Sequence, residues 1–492
     1  MKRRAVALIA VAIVLAFVTD AFARPGGGES FSGGGGHGGG GGGGSGGDGG
    51  AIFELIYWLL RLIIEVPQLG LPVLGIVIGW VVYSAYKQHK NKDWDSGPPV
   101  QLSRAISMEP LRRVDPDFSQ VLFEDFAFRL FSTAHRARHA PDQLALVSPY
   151  VSVAARMSLL HRHPGQQVKS VVVGALRTFR VEVPPPTGTP EPTRVRIGVE
   201  YEANVTTAQH TYYTVERWVF GRDANVRSKP PGATKTFPCP NCGAPWRSLD
   251  TGTQKCASCG EIVDNGRFDW VVEDIHLASS HERAPTLTTD TEERGTDLDT
   301  YRQHDIDAHW KELETDDPAL TEDNLTARVV MIFHALNKAW SSNELRPVRG
   351  FVSDGLYDYL SYWVEEYKRQ KLRNQLDDTI LSHALVAKVV RDRWYDAVTI
   401  RIWGAGKDYI VDARGRVVRG SRHRTRSYSE YWTLIRSRSR KGAPLANPVC
   451  GNCGAPLQIT MAGECEHCNA HITAGEFDWV LSKIEQDDTY RG

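Results

Sequence analysis

At 492 residues the chain is longer than one hydrophobic core usually organises, so two or three domains are expected. Its 58 Lys and Arg balance its 58 Asp and Glu, which excludes a role that rests on global charge, such as wrapping nucleic acid or coating a membrane surface; either would need a local patch.

Met1-Lys2-Arg3-Arg4, the apolar run 5–18 and Ala21-Phe22-Ala23 form a charged n-region, an h-region and a cleavage site, so residues 1–23 read as a signal peptide. Two thirds of residues 24–50 are glycine, which raises backbone entropy and supplies little apolar surface, so a disordered tether is expected. In 51–65 the charges Glu54, Arg61 and Glu65 share one helical face of an apolar segment, the pattern of an interfacial amphipathic helix. Residues 66–86 carry no charge over about 20 positions, enough to cross the hydrocarbon layer as a helix. Lys87, His89, Lys90 and Lys92 follow, and positive flanks stay inside, which places the large C-terminal part in the cytoplasm behind a single inner-membrane span.

Two stretches, starting near Ser103 and Asp317, read as copies of one design. The run Glu216-Arg217-Trp218-Val219-Phe220-Gly221-Arg222 matches Glu430-Tyr431-Trp432-Thr433-Leu434-Ile435-Arg436. Cys-x-x-Cys-Gly-Ala-Pro follows in both, at Cys239 and Cys450. Gly266-Arg267-Phe268-Asp269-Trp270-Val271 matches Gly475-Glu476-Phe477-Asp478-Trp479-Val480. Each copy opens with a helix after an Asp-Pro start signal, Asp115-Pro116 and Asp317-Pro318, with apolar residues at helical spacing: Phe118, Leu122, Phe126 and Leu130, then Leu325, Val329, Phe333 and Leu336. Further helix is expected at 151–161 and 354–373, followed by β-rich runs at 171–183, 194–201, 385–391 and 397–403. Helices first and an antiparallel sheet afterwards define an α+β class. The boundaries expected are 103–236 and 317–446 for the two domains, 237–276 and 447–485 for a small cysteine module after each, and 282–316 for an acidic linker with room for one short helix near 305–313.

The run Ala339-Trp340-Ser341-Ser342-Asn343-Glu344-Leu345-Arg346-Pro347-Val348, then Leu356-Tyr357-Asp358-Tyr359-Leu360, and a sheet ending in Tyr431-Trp432-Thr433 resemble the Tim-forty-four-like domain, which forms the C-terminal part of the tether subunit of the mitochondrial inner-membrane translocase and is shared with bacterial membrane proteins. The resemblance covers the second copy directly and the first through its alignment to the second. It implies a nuclear-transport-factor-two-like fold, a curved sheet backed by helices around an apolar pocket, acting at a membrane as a docking or tethering surface. The duplication and the cysteine modules depart from the mitochondrial protein.

All eight cysteines fall into C-x-x-C pairs: Cys239/Cys242 with Cys256/Cys259, and Cys450/Cys453 with Cys465/Cys468. A two-residue spacer lets both thiolates of a knuckle face one metal, and two knuckles complete a tetrahedron, so two structural Zn ions in zinc ribbons are expected. Four thiolates leave no open position for water, which argues against a catalytic metal. Gly243, Gly260 and Gly454 follow three pairs and Asn469 the fourth, residues suited to a turn with positive φ. His467 is surplus to the ligand set. Disulfides are the competing reading for cysteines behind a signal peptide, and a reducing compartment weighs against them.

The densest basic run is Arg414, Arg416, Arg419, Arg422, Arg424 and Arg426, then Arg436, Arg438, Arg440 and Lys441, with Tyr428, Tyr431 and Trp432 interleaved. On a strand pair it would offer a positive aromatic face for anionic lipid or, less well suited to an anchored chain, nucleic acid; a solvated loop and exposed strand face is the reading with more weight. Trp218 and Trp432 read as core, and Glu216 and Glu430 as bases by residue type that lack a matching His or nucleophile in both copies. No nucleophile elbow, phosphate loop or dinucleotide fingerprint is present, so no enzyme is expected; a His or Asp paired with either Glu inside a pocket would reopen that reading. The function expected is a membrane-anchored scaffold or tether that binds a protein partner, membrane lipid or apolar ligands. The alternative is a nucleic-acid-binding membrane protein that uses the ribbons and the run from Arg414 to Lys441.

Overall fold

The computed structural model describes residues 61–62, 65–90, 106–184, 194–231, 237–247, 254–282, 299–445, 449–460, 463–487, 490 and 492. The expected signal peptide, the glycine tether and nearly all of the amphipathic helix lie outside the described residues. Within them, α1 (Pro67–Lys90) covers the expected span and leaves Ile76, Trp80, Val82 and Tyr83 exposed. Among the described residues no helix is long and apolar enough to cross a membrane; the side chains of Leu71, Ile78 and Val81 lie outside them, and the span rests on the sequence alone.

The first unit runs α2 (Glu109–Val114), α3 (Gln120–Ala137), α4 (Pro141–Leu144) and α5 (Val153–Leu160), then β1 (Val168–Glu182), β2 (Arg194–Thr207), β3 (Thr211–Asp223) and β4 (Val271–Glu282). The second runs α6 (Ile306–Asp316), α7 (Glu322–Ser341) and α8 (Asp354–Arg369), then β5 (Leu372–Arg391), β6 (Tyr395–Asp412), β7 (Val417–Ser437) and β8 (Val480–Gln486). Each set of strands forms one antiparallel sheet in sequence order. The α+β class and most element positions follow the sequence pattern.

The long helices start at caps rather than at the Asp-Pro pairs. Ser119 accepts from the Leu122 N–H, and Thr321 and Asn324 form a reciprocal capping box, which satisfies amide donors that a helix start leaves free. In α7 all four expected residues, Leu325, Val329, Phe333 and Leu336, are buried. Of the four residues expected to be apolar contacts at α3, Phe118 and Leu130 are buried and Leu122 and Phe126 only partly; the helix buries Phe123, Ala127, Phe131 and Ala134 beside Leu130. Helix α8 ends earlier than residue 373 because Lys371 takes φ +56°, a left-handed turn that sends the chain into β5.

Two domain boundaries need correction. The cysteine modules do not follow the sheets; they interrupt them, since β4 and β8 return to pair with β3 and β7 after each module. Residues 271–276 and 480–485, assigned from sequence to the ribbons, are therefore the last strands of the sheets. The expected linker is also shorter. Ile306, Trp310 and Leu313 of α6 bury into the second core, and Gln303 N–H donates to the carbonyl of Ala387 in β5. The short helix expected near 305–313 is α6, and its three buried apolar residues seat it in the second unit.

The units dock against each other. Val172, Tyr213 and Val215 of the first sheet join the apolar core of the second unit, with α8 lying against β1. Lys483 pairs with Glu124 at 2.6 Å, Arg393 pairs with Asp117 at 2.7 Å, and Trp394 Nε1 donates to the Asp117 carbonyl at 3.0 Å.

Candidate metal centres and buried charge networks

Four identical knuckles carry the cysteines. In each, the first cysteine's N–H bonds to a carbonyl five residues on, Ala244, Glu261, Ala455 or Ala470, and its carbonyl accepts from the residue after the pair, Gly243, Gly260, Gly454 or Asn469. Those four residues hold φ of +72°, +74°, +73° and +57°, the left-handed turn expected of them. A β-branched residue there is strained: Gly260→Val is expected to lower stability by about 1–3 kcal/mol, read by thermal unfolding, whereas Asn469→Gly leaves it unchanged or improves it.

The turns bring both sets of four sulfurs together, with all ligand atoms of each set within 4.8 Å of one another. Cys239 and Cys259 Sγ lie 3.9 Å apart, Cys242 and Cys256 4.0 Å, Cys450 and Cys468 3.8 Å, and Cys453 and Cys465 3.9 Å. A metal held by four thiolates at about 2.3 Å needs a sulfur tetrahedron with edges near 3.8 Å, whereas a disulfide needs about 2.05 Å. The donor set fits a four-coordinate metal ion. Asn241 and Asn452 side-chain amides point at Cys259 and Cys468 Sγ at 3.5 and 3.4 Å, outer-shell donors that stabilise thiolate. Burial pushes the Cys239 and Cys450 thiols up to about 12, while the Asn452 amide and the Ala470 N–H bring Cys468 down to about 6. His467 is exposed and outside both clusters.

The landmarks shared by the two copies meet in space. Asp115 accepts from Arg222 and from Ser228, and Arg222 stacks over Trp270 at 4.4 Å. Asp317 accepts from Arg436 at 2.7 Å, and Arg436 stacks over Trp479 at 4.6 Å. The Asp-Pro pair, the arginine of E-x-W-x-x-x-R and the tryptophan of F-D-W thus form one buried ion pair capped by an indole in each unit. The Glu of the same strand motif holds its own Trp: Trp218 and Trp432 each donate to Glu216 or Glu430 at 2.9 Å. Both indoles are buried, as expected of core residues.

The first unit adds a network that the sequence reading missed. His135 Nε2 lies 3.3 Å from Glu216 Oε2, Arg162 pairs with the other oxygen, and Arg138 contacts His135 at 3.1 Å. Asn337 takes the place of His135 in α7. Burial presses His135 down to about 4, and Glu216, despite burial, is held well below the carboxylate range by His135 and Arg162. A carboxylate so stabilised is a poor proton acceptor, and both groups are at most 1 % exposed, so this pair is suited to positioning rather than to general-base chemistry. Its signal in the sequence was a polar residue on the apolar stripe of α3, four residues after Phe131.

The basic run divides. Arg436 is in the buried pair, Arg438 and Lys441 face Asp316, and Arg440 donates to the Phe477 carbonyl at 2.8 Å. Tyr428, Tyr431 and Trp432 are buried, so the expected aromatic face for base stacking is not formed. Only the part from Arg414 to Arg426 projects, on the β6–β7 hairpin, where Asp412 pairs with Arg416 and Arg422 covers Tyr409.

Fold and site together define an α+β protein with two antiparallel sheets, each interrupted by a four-cysteine cluster able to hold a metal ion. A Tim44-like domain is found at residues 307–446, which takes in α6 and ends before the second cluster. No curated protein matches the chain.

Proposed function

We propose that the chain is a membrane-anchored scaffold or tether. Both units act as Tim44-like domains, both cysteine clusters hold structural Zn, and residues 66–86 fix the assembly to the inner membrane with its C-terminal units in the cytoplasm. The observation that carries this reading is the Tim44-like domain at 307–446, in a unit whose apolar core includes Phe333, Trp340, Trp363 and Trp432. The first unit supports it with the same strand order and the same Asp–Arg–Trp cluster. The partners are a cytoplasmic protein, with lipid or another apolar ligand as companions of the anchor. Nucleic acid is the weaker partner, because the aromatic residues of the basic run are inside.

The test is crosslinking of the full chain in native membranes, followed by mass spectrometry and metal analysis. The expected result is integral-membrane fractionation, two Zn per chain and a reproducible crosslinked protein on the second unit. Extraction by alkaline carbonate with no crosslinked partner would overturn the tether. A nucleic-acid role predicts instead a binding constant that falls steeply between 50 and 200 mM salt, in proportion to the phosphates contacted.

A further inference from the structure

The two ribbons are docked differently. Among the described residues, the first rests on its own unit: Trp246 Nε1 donates to the Ala145 carbonyl at 3.0 Å, Ser148 bonds Gln254 at 2.6 Å, and Tyr150 donates to the Pro238 carbonyl at 2.8 Å. The second rests where the two units meet. Helix α8, which lies against β1 of the first unit, begins at Asp354. Thr473 of the second ribbon donates to Asp354 Oδ1 at 2.6 Å, His471 Nε2 stands 3.5 Å from Oδ2, and Arg349 pairs with the same carboxylate. Against the upward push of burial, these contacts hold Asp354 well below the ordinary carboxylate range.

The next residue carries the contact across. A Cβ on Gly355 would lie 3.9 Å from the Phe128 ring of α3, and Asp125 of α3 stands close enough to feel both Asp354 and His471. Ahead of α8 the chain is pressed onto the ribbon: a Cβ on Gly350 would meet Leu457 and Ile459 at 2.5 Å, and Arg346 pairs with Glu466 at 2.9 Å. His471 itself is fixed by the knuckle, through a bridge to Glu464 and the bond from Cys465 N–H to the Ala470 carbonyl.

We infer that the second ribbon is the clamp between the units, so that metal bound by Cys450, Cys453, Cys465 and Cys468 fixes the start of α8 against α3, while metal in the first ribbon stabilises only its own unit. The inference rests on the metal reading above and adds a division of labour between two otherwise alike centres. A small ribbon cannot hold its shape without its metal, so losing the ion frees Thr473 and His471, and Asp354 loses the donors that pin the interface helix. The second ribbon then serves as a surface for the first unit of the same chain, and its occupancy becomes a switch on their docking.

The experiment is amide hydrogen exchange on the full chain in detergent, with zinc content measured on each sample. Cys465→Ser with Cys468→Ser is expected to speed exchange in the first turn of α8 and in α3, about 110 and more than 300 residues from the mutated pair in sequence, by roughly tenfold, the scale of losing about two hydrogen bonds. Cys256→Ser with Cys259→Ser is expected to change exchange in α4, α5 and β4 and leave α8 as it was. His471→Ala with Thr473→Val keeps all eight thiols; it is expected to retain two Zn and still loosen α8 and α3, which separates the clamp from general unfolding of the ribbon. Unchanged α3 in both second-ribbon variants, or equal loosening from either ribbon, overturns the clamp. Wild-type protein without zinc overturns the metal reading and the clamp with it, and two Zn with no exchange difference overturns the clamp alone.

Discussion

Asp317→Ala is expected to destabilise the protein by about 3–5 kcal/mol, the cost of leaving one member of a buried ion pair without its partner. Asp317 and Arg436 are at most 3 % exposed, and the same carboxylate also accepts from the Gly442 N–H at 3.0 Å. Removing it leaves a guanidinium under Trp479 with no counter-charge and a free amide nearby. Replacing both partners with apolar residues of similar volume, Asp317→Leu with Arg436→Met, is expected to cost much less, because neither charge then has to be desolvated. Denaturant unfolding of the two variants gives the comparison; equal losses would mean that packing around Trp479, not charge, holds the site. The matching pair in the first unit adds a pH dependence. Burial tends to raise Asp115, but Ser228 and Arg222 lower it further, so its folded value lies below the usual one. Its stabilisation is fully present above about pH 4 and is lost as the pH falls through the folded value.

The second large effect concerns the metal. On the proposed zinc reading, stripping the ion with a strong chelator, or Cys450→Ser with Cys453→Ser, is expected to unfold the second ribbon outright, since structural zinc sites draw about 10–16 kcal/mol from the ion at neutral pH. The ribbon's own apolar cluster is small, Cys450, Ile459, Cys465 and Ile472 with a few partly buried neighbours, so nothing else can replace that contribution. Because β8 lies beyond the ribbon, the loss should reach the sheet as well. Coupled loss of zinc and of β-sheet signal in circular dichroism is the expected result. A ribbon that keeps protease resistance after zinc removal would show that packing against Phe351 and Gly350 suffices.

Much of this arrangement was legible in the sequence because it is local. C-x-x-C-G turns, Trp two residues from Glu on one strand, and capped helices each need only a few neighbouring residues to state their geometry. The shared landmarks were visible as repeats, but the reason for them was not: Asp317, Arg436 and Trp479 come from a helix lead-in, a central strand and the return from the ribbon, and only closure of the sheet brings them together. The Asp-Pro pairs looked like helix starts because proline favours that place; the helices begin instead at Ser119 and Thr321, and the aspartates serve the ion pairs. In the arginine run the reading as a solvated loop and exposed strand face holds from Arg414 to Arg426, and the aromatic face does not form. Tyr428, Tyr431 and Trp432 are interleaved in sequence with exposed-looking cations, yet all three are buried, Tyr428 and Trp432 in the core under the helices and Tyr431 in a separate cluster, where it stacks on Tyr490 at 3.9 Å and accepts from the Tyr301 N–H.

Placing each ribbon between the third and fourth strand has a consequence for the order in which the chain can fold. The last strand of each sheet must wait for the whole excursion from Asp223 to Val271, or from Ser437 to Val480, to be brought back to its start. An open excursion of that size carries a closure penalty that grows with its length and slows the pairing of its ends. With the proposed metal in place, gathering four thiolates on one ion folds back a little under half of the excursion and shortens the loop that the strands must close. During synthesis, metal supply would then set the pace at which these sheets are completed, and a chain starved of it would linger with β3 and β7 as open edges, the state in which sheet proteins are most prone to pair with the wrong neighbour.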